Sequence, residues 1–324
     1  MENYLLIINP ISGTGSKEGL AQYVVEHLSD TQRQVHVAYT TAGGDATRLA
    51  RKAADNGFAA VIAAGGDGTV NETATALCDT GVALGILPMG SGNGLARHLG
   101  IPIDPAEALN IIASHNILDC DYCTVNNRPF FCTFGVGFDA AVSEKFARQK
   151  KRGKLSYIRS AISEYVSYNP QVYTISANGH IITQKAFIVA CCNASQYGNN
   201  AYIAPKASIT DGMMDITIIH AGGTPLDTAI MGVDLFTGYI NRNTLIRTFR
   251  TQEATIIRSG IGPAHIDGEP VTMEEEMKVI CKHCGLRIFT PGETHVRPII
   301  TPITSALDDI RTSLGRIFRP NHIG

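Results

Sequence analysis

Through residues 1–122, short apolar runs alternate with stretches whose apolar positions recur at helical spacing. Tyr4–Asn9, Val35–Tyr39, Ala59–Ala64 and Val82–Leu87 have the length and composition of strands. Lys17–Leu28, Asp45–Asn56, Thr69–Cys78, Gly92–Leu99 and Pro105–Ser114 read as helices, the last entered by Asp104 as cap and Pro105 at its first position. Strand–helix alternation of this kind predicts a Rossmann-like parallel α/β domain. From Cys123 the rhythm changes. Short runs (Val172–Ala177, Ile181–Cys192, Met214–Ile219, Ala254–Arg258, Lys278–Cys281) follow one another with turn residues between them. Helix candidates there are few: Asp139–Ala147, Lys154–Ser167 and Leu226–Thr237. A second, mostly antiparallel β domain is expected over residues 123–297. In the tail, residues 298–324, Ile303, Leu307, Ile310, Leu314 and Ile317 recur at helical spacing, which predicts packing back on the first domain. Membrane contact through Arg311, Arg316 and Arg319 is the less favoured reading of that tail.

Composition narrows the class. The chain has 324 residues, 44% of them hydrophobic and 17% charged, which suits two core-forming domains rather than disorder. Its apolar runs are too short to span a bilayer, and no signal peptide is read at the start. A net charge of −2 invites neither nucleic acid nor an anionic surface. Eight cysteines include two C-x-x-C pairs, Cys120/Cys123 and Cys281/Cys284, with His283 inside the second. Both pairs lie in β-rich text without the turns of a zinc ribbon, so buried or half-buried thiols in a reducing cytoplasm are expected.

The 32 glycines stand out, and many fall in clusters at strand ends. Asn9 to Ser16, with Ser12 and Gly13, follows the first strand. It lacks both the Walker A ending and the dinucleotide spacing, so a phosphate loop and a plain turn are both open for it. Gly65-Gly66-Asp67-Gly68-Thr69-Val70-Asn71-Glu72 joins a buried strand to a helix. A mere turn does not need an Asp among glycines followed by a hydroxyl. Glycines let a nucleotide approach the backbone, leaving Asp67 for a metal–phosphate group and Thr69 for a phosphate oxygen. Gly90-Ser91-Gly92-Asn93 repeats the arrangement after the next strand. Far downstream, Asp267-Gly268-Glu269 places two carboxylates around a glycine. Phosphoryl transfer to a hydroxyl needs a carboxylate able to take the hydroxyl proton.

Taken in order, these clusters resemble the diacylglycerol kinase catalytic family, which includes bacterial lipid kinases and sphingosine kinases. The carriers are Asn9-Pro10-x-Ser12-Gly13, Thr40 with Gly44-Asp45-Ala46, Gly65 to Glu72, Gly90 to Asn93, Gly135-x-Gly137-Phe138-Asp139 and Asp267-Gly268-Glu269. Gly-Gly-Asp-Gly-Thr is also shared with NAD kinases. The resemblance implies an N-terminal nucleotide domain, a C-terminal β-sandwich, and ATP and lipid meeting between them. By position it implies that Thr40, Gly65 to Asn71 and Ser91 bind ATP, and that Asp67 faces Mg²⁺-bound phosphates. It makes Glu269, supported by Asp267, the proton acceptor. Ser208, Asp211 and Met213 match a structural magnesium loop of bacterial members, for which a capping turn without metal is the other reading. Gly94 departs from the Asp common in bacterial diacylglycerol kinases and is similar to sphingosine and ceramide kinases. That similarity leaves open whether Asp67 or Glu269 is the base, and it offers Asp139 as a substrate ligand. The expectation is a cytoplasmic, ATP- and Mg²⁺-dependent lipid kinase, peripheral at the membrane where it meets its lipid. No nucleic-acid partner is expected, and a homodimer is compatible with the sequence. A kinase for a soluble acceptor such as NAD and a non-catalytic lipid-binding protein are the alternatives.

Overall fold

The computed structural model describes residues 1–12, 19–147, 168–197, 201–222 and 244–292, with Asp234, Leu235, Gly238 and Ile240. Gly13, the helix expected at 154–167, most of that at 226–237 and the tail 298–324 lie outside the described residues.

The first half begins β1 (Glu2–Ile8), α1 (Leu20–Leu28), β2 (Arg33–Tyr39), α2 (Asp45–Asp55) and β3 (Ala60–Gly65). It continues α3 (Asp67–Leu77), β4 (Ala83–Pro88), α4 (Gly94–His98) and α5 (Pro105–Ala113). The strands lie in the order β2-β1-β3-β4, all parallel. β3 and β4 are buried along their whole length, as the continuous apolar text of a sheet covered on both faces requires. α2 buries Ala46, Ala50 and Ala53, spaced on one helical face. The Asp104 carboxylate accepts from the Ala106 and Glu107 amides at 3.0 Å, capping α5.

The second half runs β5 (Ile117–Val125), β6 (Arg128–Phe130), β7 (Thr133–Gly137), α6 (Phe138–Ala147), β8 (Gln171–Ala177), β9 (His180–Cys192) and β10 (Met214–His220). β11 (Ile246–Thr251), β12 (Glu253–Arg258), β13 (Gly262–Ile266), β14 (Glu269–Met273) and β15 (Glu276–Phe289) complete it. Their pairings are antiparallel, from β14 through β13, β7, β9, β8 and β12 to β15. β8 shows the half-buried alternation, with Tyr173 and Ile175 inside and Val172 out.

The long strand β15 joins the halves. Its end pairs in parallel with β4 through Arg287 and Ile288, adding a fifth strand to the first sheet. Along its length it pairs antiparallel with β5, from Val279↔Val125 to Phe289↔Ile117. Residue 123 therefore lies inside a ladder that runs through both halves. Cys120, Cys123 and Cys281 are buried thiols on this ribbon, and Cys284 is exposed.

A second joint pins α4 to the segment after β9. His98 is buried, and its Nδ1 lies 3.2 Å from the Ser195 amide nitrogen and 3.0 Å from Ser195 Oγ. Nδ1 must accept from the amide, so the ring is neutral, and burial holds its pKa down at about 4. The unfolded chain then binds the extra proton first. The associated stability is present above the ordinary histidine pKa and is lost as pH falls toward the folded value, about 3 kcal/mol in all. Denaturant titrations at pH 7.5 and 4.5 should show His98→Gln losing less stability on acidification than the wild type, by about 2–3 kcal/mol. Equal losses in both proteins would remove His98 as the acid-sensitive joint.

Candidate active site

The C-terminal ends of β1, β3 and β4 lie side by side, so residues 9–12 and the glycine clusters that follow β3 and β4 form one rim. The Asn9 amide donates to Ala64 O at 3.0 Å, and the Met89 amide donates to Gly65 O at 2.8 Å. Asn9 Nδ2 donates to Thr69 Oγ1 at 3.0 Å, and Ser12 Oγ donates to Asn9 O. Thr40, buried at the end of β2, donates its amide to Ile8 O. Gly66 and Gly90 touch backbone to backbone. A Cβ on Gly90 would lie 2.7 Å from Gly66 Cα and 2.9 Å from Asn93 Oδ1, so no other residue fits without parting the loops.

Polar side chains lock this rim from within. Asn93, in the left-handed region at φ 52°, accepts from the Gly90 amide and donates to the Gly90 carbonyl. The Asp67 carboxylate accepts from the amides of Asn93 (2.8 Å) and Gly94 (2.7 Å). Asp67 thus fastens the second loop to the third, and a side chain on Gly92 would press on its Oδ2. Glu72 accepts from the amides of Gly44 and Ala46, anchoring the start of α2 to α3. Gly68 and Ser91 are left with exposed surface, Ser91 the more so.

The fourth cluster reaches this rim from the other half. Asp267 and Gly268, at φ 50° and 84°, form the two-residue turn between β13 and β14. The Asp267 carboxylate is enclosed by four N–H donors: Asn71 Nδ2 at 2.6 Å and the amides of Phe131 (2.9 Å), Cys132 (2.7 Å) and Thr133 (2.9 Å). Burial pushes its pKa up against the pull of these donors. Glu269 is exposed, and its carboxylate makes no hydrogen bond among the described residues. Its Oε1 lies 3.9 Å from where a Cβ of Gly68 would stand. A cavity between the halves is lined by Asp67, Asn71, Leu95, Thr133, Tyr197 and Asp267, among others.

Asp139 stands behind this cavity rather than in it. It is buried, and its carboxylate is spent on three donors: the Ala140 amide, Tyr197 Oη at 2.8 Å and His265 Nε2 at 3.0 Å. Asp139, expected as a substrate ligand, is not among the residues that line the cavity, and its hydrogen bonds are internal. Sequence reasoning passed over Tyr197 and His265. The one available signal was a histidine two places before Asp267, inside an apolar strand.

The loop at 208–213 closes on itself. Asp211 accepts from the Met213 amide at 3.1 Å and pairs with Arg250 at 3.1 Å, while Ser208 Oγ meets Thr210. Arg250 also reaches Asp215 at 3.5 Å, so one guanidinium is shared by two carboxylates beside this loop. Gly212 donates its amide to the fully buried Asp121 at 2.6 Å. Asp121 also accepts from the Cys284 amide and meets His283 Nδ1 at 2.7 Å, so it ties the loop to a bulge in β15.

Two family models match the chain: the diacylglycerol kinase catalytic domain over residues 3–125, and the YegS C-terminal NAD kinase beta sandwich-like domain over residues 132–284. A Klebsiella pneumoniae protein named "Probable lipid kinase YegS-like" is 32% identical over 219 residues, which cover 66% of this chain and 73% of that protein. The crystal structure of a diacylglycerol kinase from Bacillus anthracis shares the fold with a TM-score of 0.68 at 20% identity, over 90% of this chain and 97% of that one. An NAD kinase from Archaeoglobus fulgidus, solved with ATP, shares it more distantly, with a TM-score of 0.50 at 10% identity over 90% and 94% of the two chains. With both family models matched in succession, and with the order of clusters on which the resemblance rested, the chain belongs to the diacylglycerol kinase catalytic family.

Proposed function

We propose that the protein is an ATP-dependent lipid kinase that transfers the γ-phosphate of MgATP to the hydroxyl of a lipid such as a diacylglycerol or a sphingoid base. The observation that carries the reading is the approach of a free carboxylate, Glu269, to Gly68 across the cleft. The rim at the ends of β1, β3 and β4 would receive the triphosphate, with Mg²⁺ arriving as part of that substrate. Exposed glycine backbone there suits close approach of phosphate oxygens. The alcohol oxygen attacks the γ-phosphorus, the new P–O bond forms as the bond to ADP breaks, and the alcohol proton passes to Glu269. The lipid would be collected by transient contact with a membrane surface. No helix among the described residues is long and apolar enough to cross one.

The three carboxylates divide the work by their surroundings. Asp67 has both oxygens committed to amides, and Asp267 has four donors, so each is already occupied in holding backbone. Glu269 alone of the three is uncommitted within the described residues, which favours it over Asp67 as the proton acceptor. General-base removal costs about 10²–10⁴ in rate. Glu269→Gln should therefore lower turnover by roughly 10³-fold while the affinity for ATP and the melting temperature stay as in the wild type.

The assay is labelled ATP with Mg²⁺ against diacylglycerol, a sphingoid base and NAD, with products identified by mass spectrometry. Phosphorylated NAD without any phosphorylated lipid would move the reading to a soluble acceptor. Wild-type turnover in Glu269→Gln would remove the assigned base. Asp267→Asn should behave differently. An amide in place of the carboxylate sets N–H against N–H, and stability should fall by about 3 kcal/mol in denaturant titration. An Asp267→Asn protein as stable as the wild type would contradict its role as a tie.

A further inference from the structure

We infer that Tyr197, Asp139 and His265 are positioning residues for the base: a hydrogen-bonded strut that runs from the cavity wall to the Gly268 amide and holds Glu269 opposite Gly68. This rests on the reading of Glu269 given above.

The chain of contacts is continuous. Tyr197 lines the cavity, and its hydroxyl donates to Asp139 Oδ2 at 2.8 Å. The same oxygen meets His265 Nε2 at 3.0 Å. On the far side of the ring, the Gly268 amide donates to His265 Nδ1 at 3.4 Å. Gly268 is the residue before Glu269. Asp139 and His265 are 5% and 1% exposed, so neither has water to replace a lost partner.

Chemistry fixes the direction of every proton in this chain. An ionised carboxylate only accepts, so His265 Nε2 must carry the imidazole proton. Nδ1 is then bare and free to accept from Gly268. The opposite tautomer would point N–H at N–H on one side and lone pair at carboxylate on the other. Backbone packing is shaped around the same pair. A Cβ on Gly135 would overlap both Asp139 Oδ2 and His265 Nε2, so β7 carries a glycine where those two groups meet. The ring of Tyr197 meets that of His265 edge-on, with centroids 5.6 Å apart, which fixes the imidazole plane.

Such a strut matters because the Glu269 carboxylate has no hydrogen bond of its own among the described residues to hold it. Its place is set by the turn that carries it. Asp267 fixes one side of that turn, and the Gly268–His265 bond fixes the other. A displacement of about 1 Å at a reacting group costs on the order of 10²-fold in rate.

Two measurements test this. In nitrogen-15 spectra of the wild-type protein, His265 should be the neutral tautomer protonated at Nε2, and the Gly268 amide should exchange slowly with solvent. In His265→Gln, which keeps a donor toward Asp139 but withdraws the acceptor from Gly268, that amide should exchange faster. Turnover, measured well below the melting temperature that loss of a buried partner lowers, should fall roughly 10²-fold with the KM for ATP unchanged. Tyr197→Phe should lower turnover by about 10-fold in the same pattern, as a strut loosened at one end. A proton on Nδ1, or unchanged turnover in His265→Gln, overturns the inference. A rise in the KM for ATP that accompanies the loss also overturns it, since that marks damage reaching the nucleotide rim. Glu269→Gln measured in parallel separates the two failures. If it is inactive while His265→Gln is normal, only the strut falls. If it is fully active, the assigned base falls and the strut's catalytic purpose with it. The tautomer and exchange data judge the hydrogen bonds without any turnover.

Discussion

The Asp267 carboxylate gathers the two halves of the molecule onto one point. It takes a donor from α3 of the first half and three backbone amides of the second, two from the link between β6 and β7 and one from the first residue of β7. A charge enclosed in this way is tolerable only because every lone-pair direction is met by an N–H. The consequence is geometric. The hairpin turn cannot slide relative to α3 without stripping the Asn71 bond, which ties the residue before Gly268 to the first turns of α3. Glu269 faces Gly68 beside that tie.

The other half of the constraint is the absence of side chains. Gly66 and Gly90 meet at backbone distance, and Asp67 and Asn93 fasten the second and third loops through amides rather than through each other's side chains. A rim built this way exposes backbone toward the cleft and keeps its polar side chains turned inward as fasteners. The same economy places Gly135 where Asp139 and His265 meet. Glycine therefore serves two ends in this protein: loops that must pack backbone against backbone, and strands that must make room for a buried pair.

The parallel half was legible because its signals are local. Continuous apolar runs, the Asp104–Pro105 entry and the alternation of strand and helix each fall within a dozen residues, and β1 to β4 with α2 to α5 follow them to within a few positions. The second half was less so. β6, β7, β13 and β14 are three to five residues long, and their apolar content is no guide when Gly, Pro and His sit on them to serve contacts elsewhere. β15 read as a short strand because Lys282, His283 and Cys284 interrupt its pattern. Those residues form the bulge that carries the strand from one half to the other.

At the site, residue types were readable and their duties were not. Asp67, Asp139, Asp211 and Asp267 all present the same group in sequence, and each is matched in space to amides, a hydroxyl, an imidazole or a guanidinium. Whether a carboxylate works on a substrate or on its own backbone depends on donors that come from up to 196 positions away, as Asn71 does for Asp267. Spacing along the chain carries no record of such pairs. Glu269 differs from the others by what does not reach it. Its neighbours are a glycine that offers only surface and a turn held from both sides. On the proposed reading, a proton acceptor at Glu269 would gain from that isolation: lone pairs not spent on internal donors would be available to an incoming hydroxyl, while the framework that positions them is built from carboxylates that are spent.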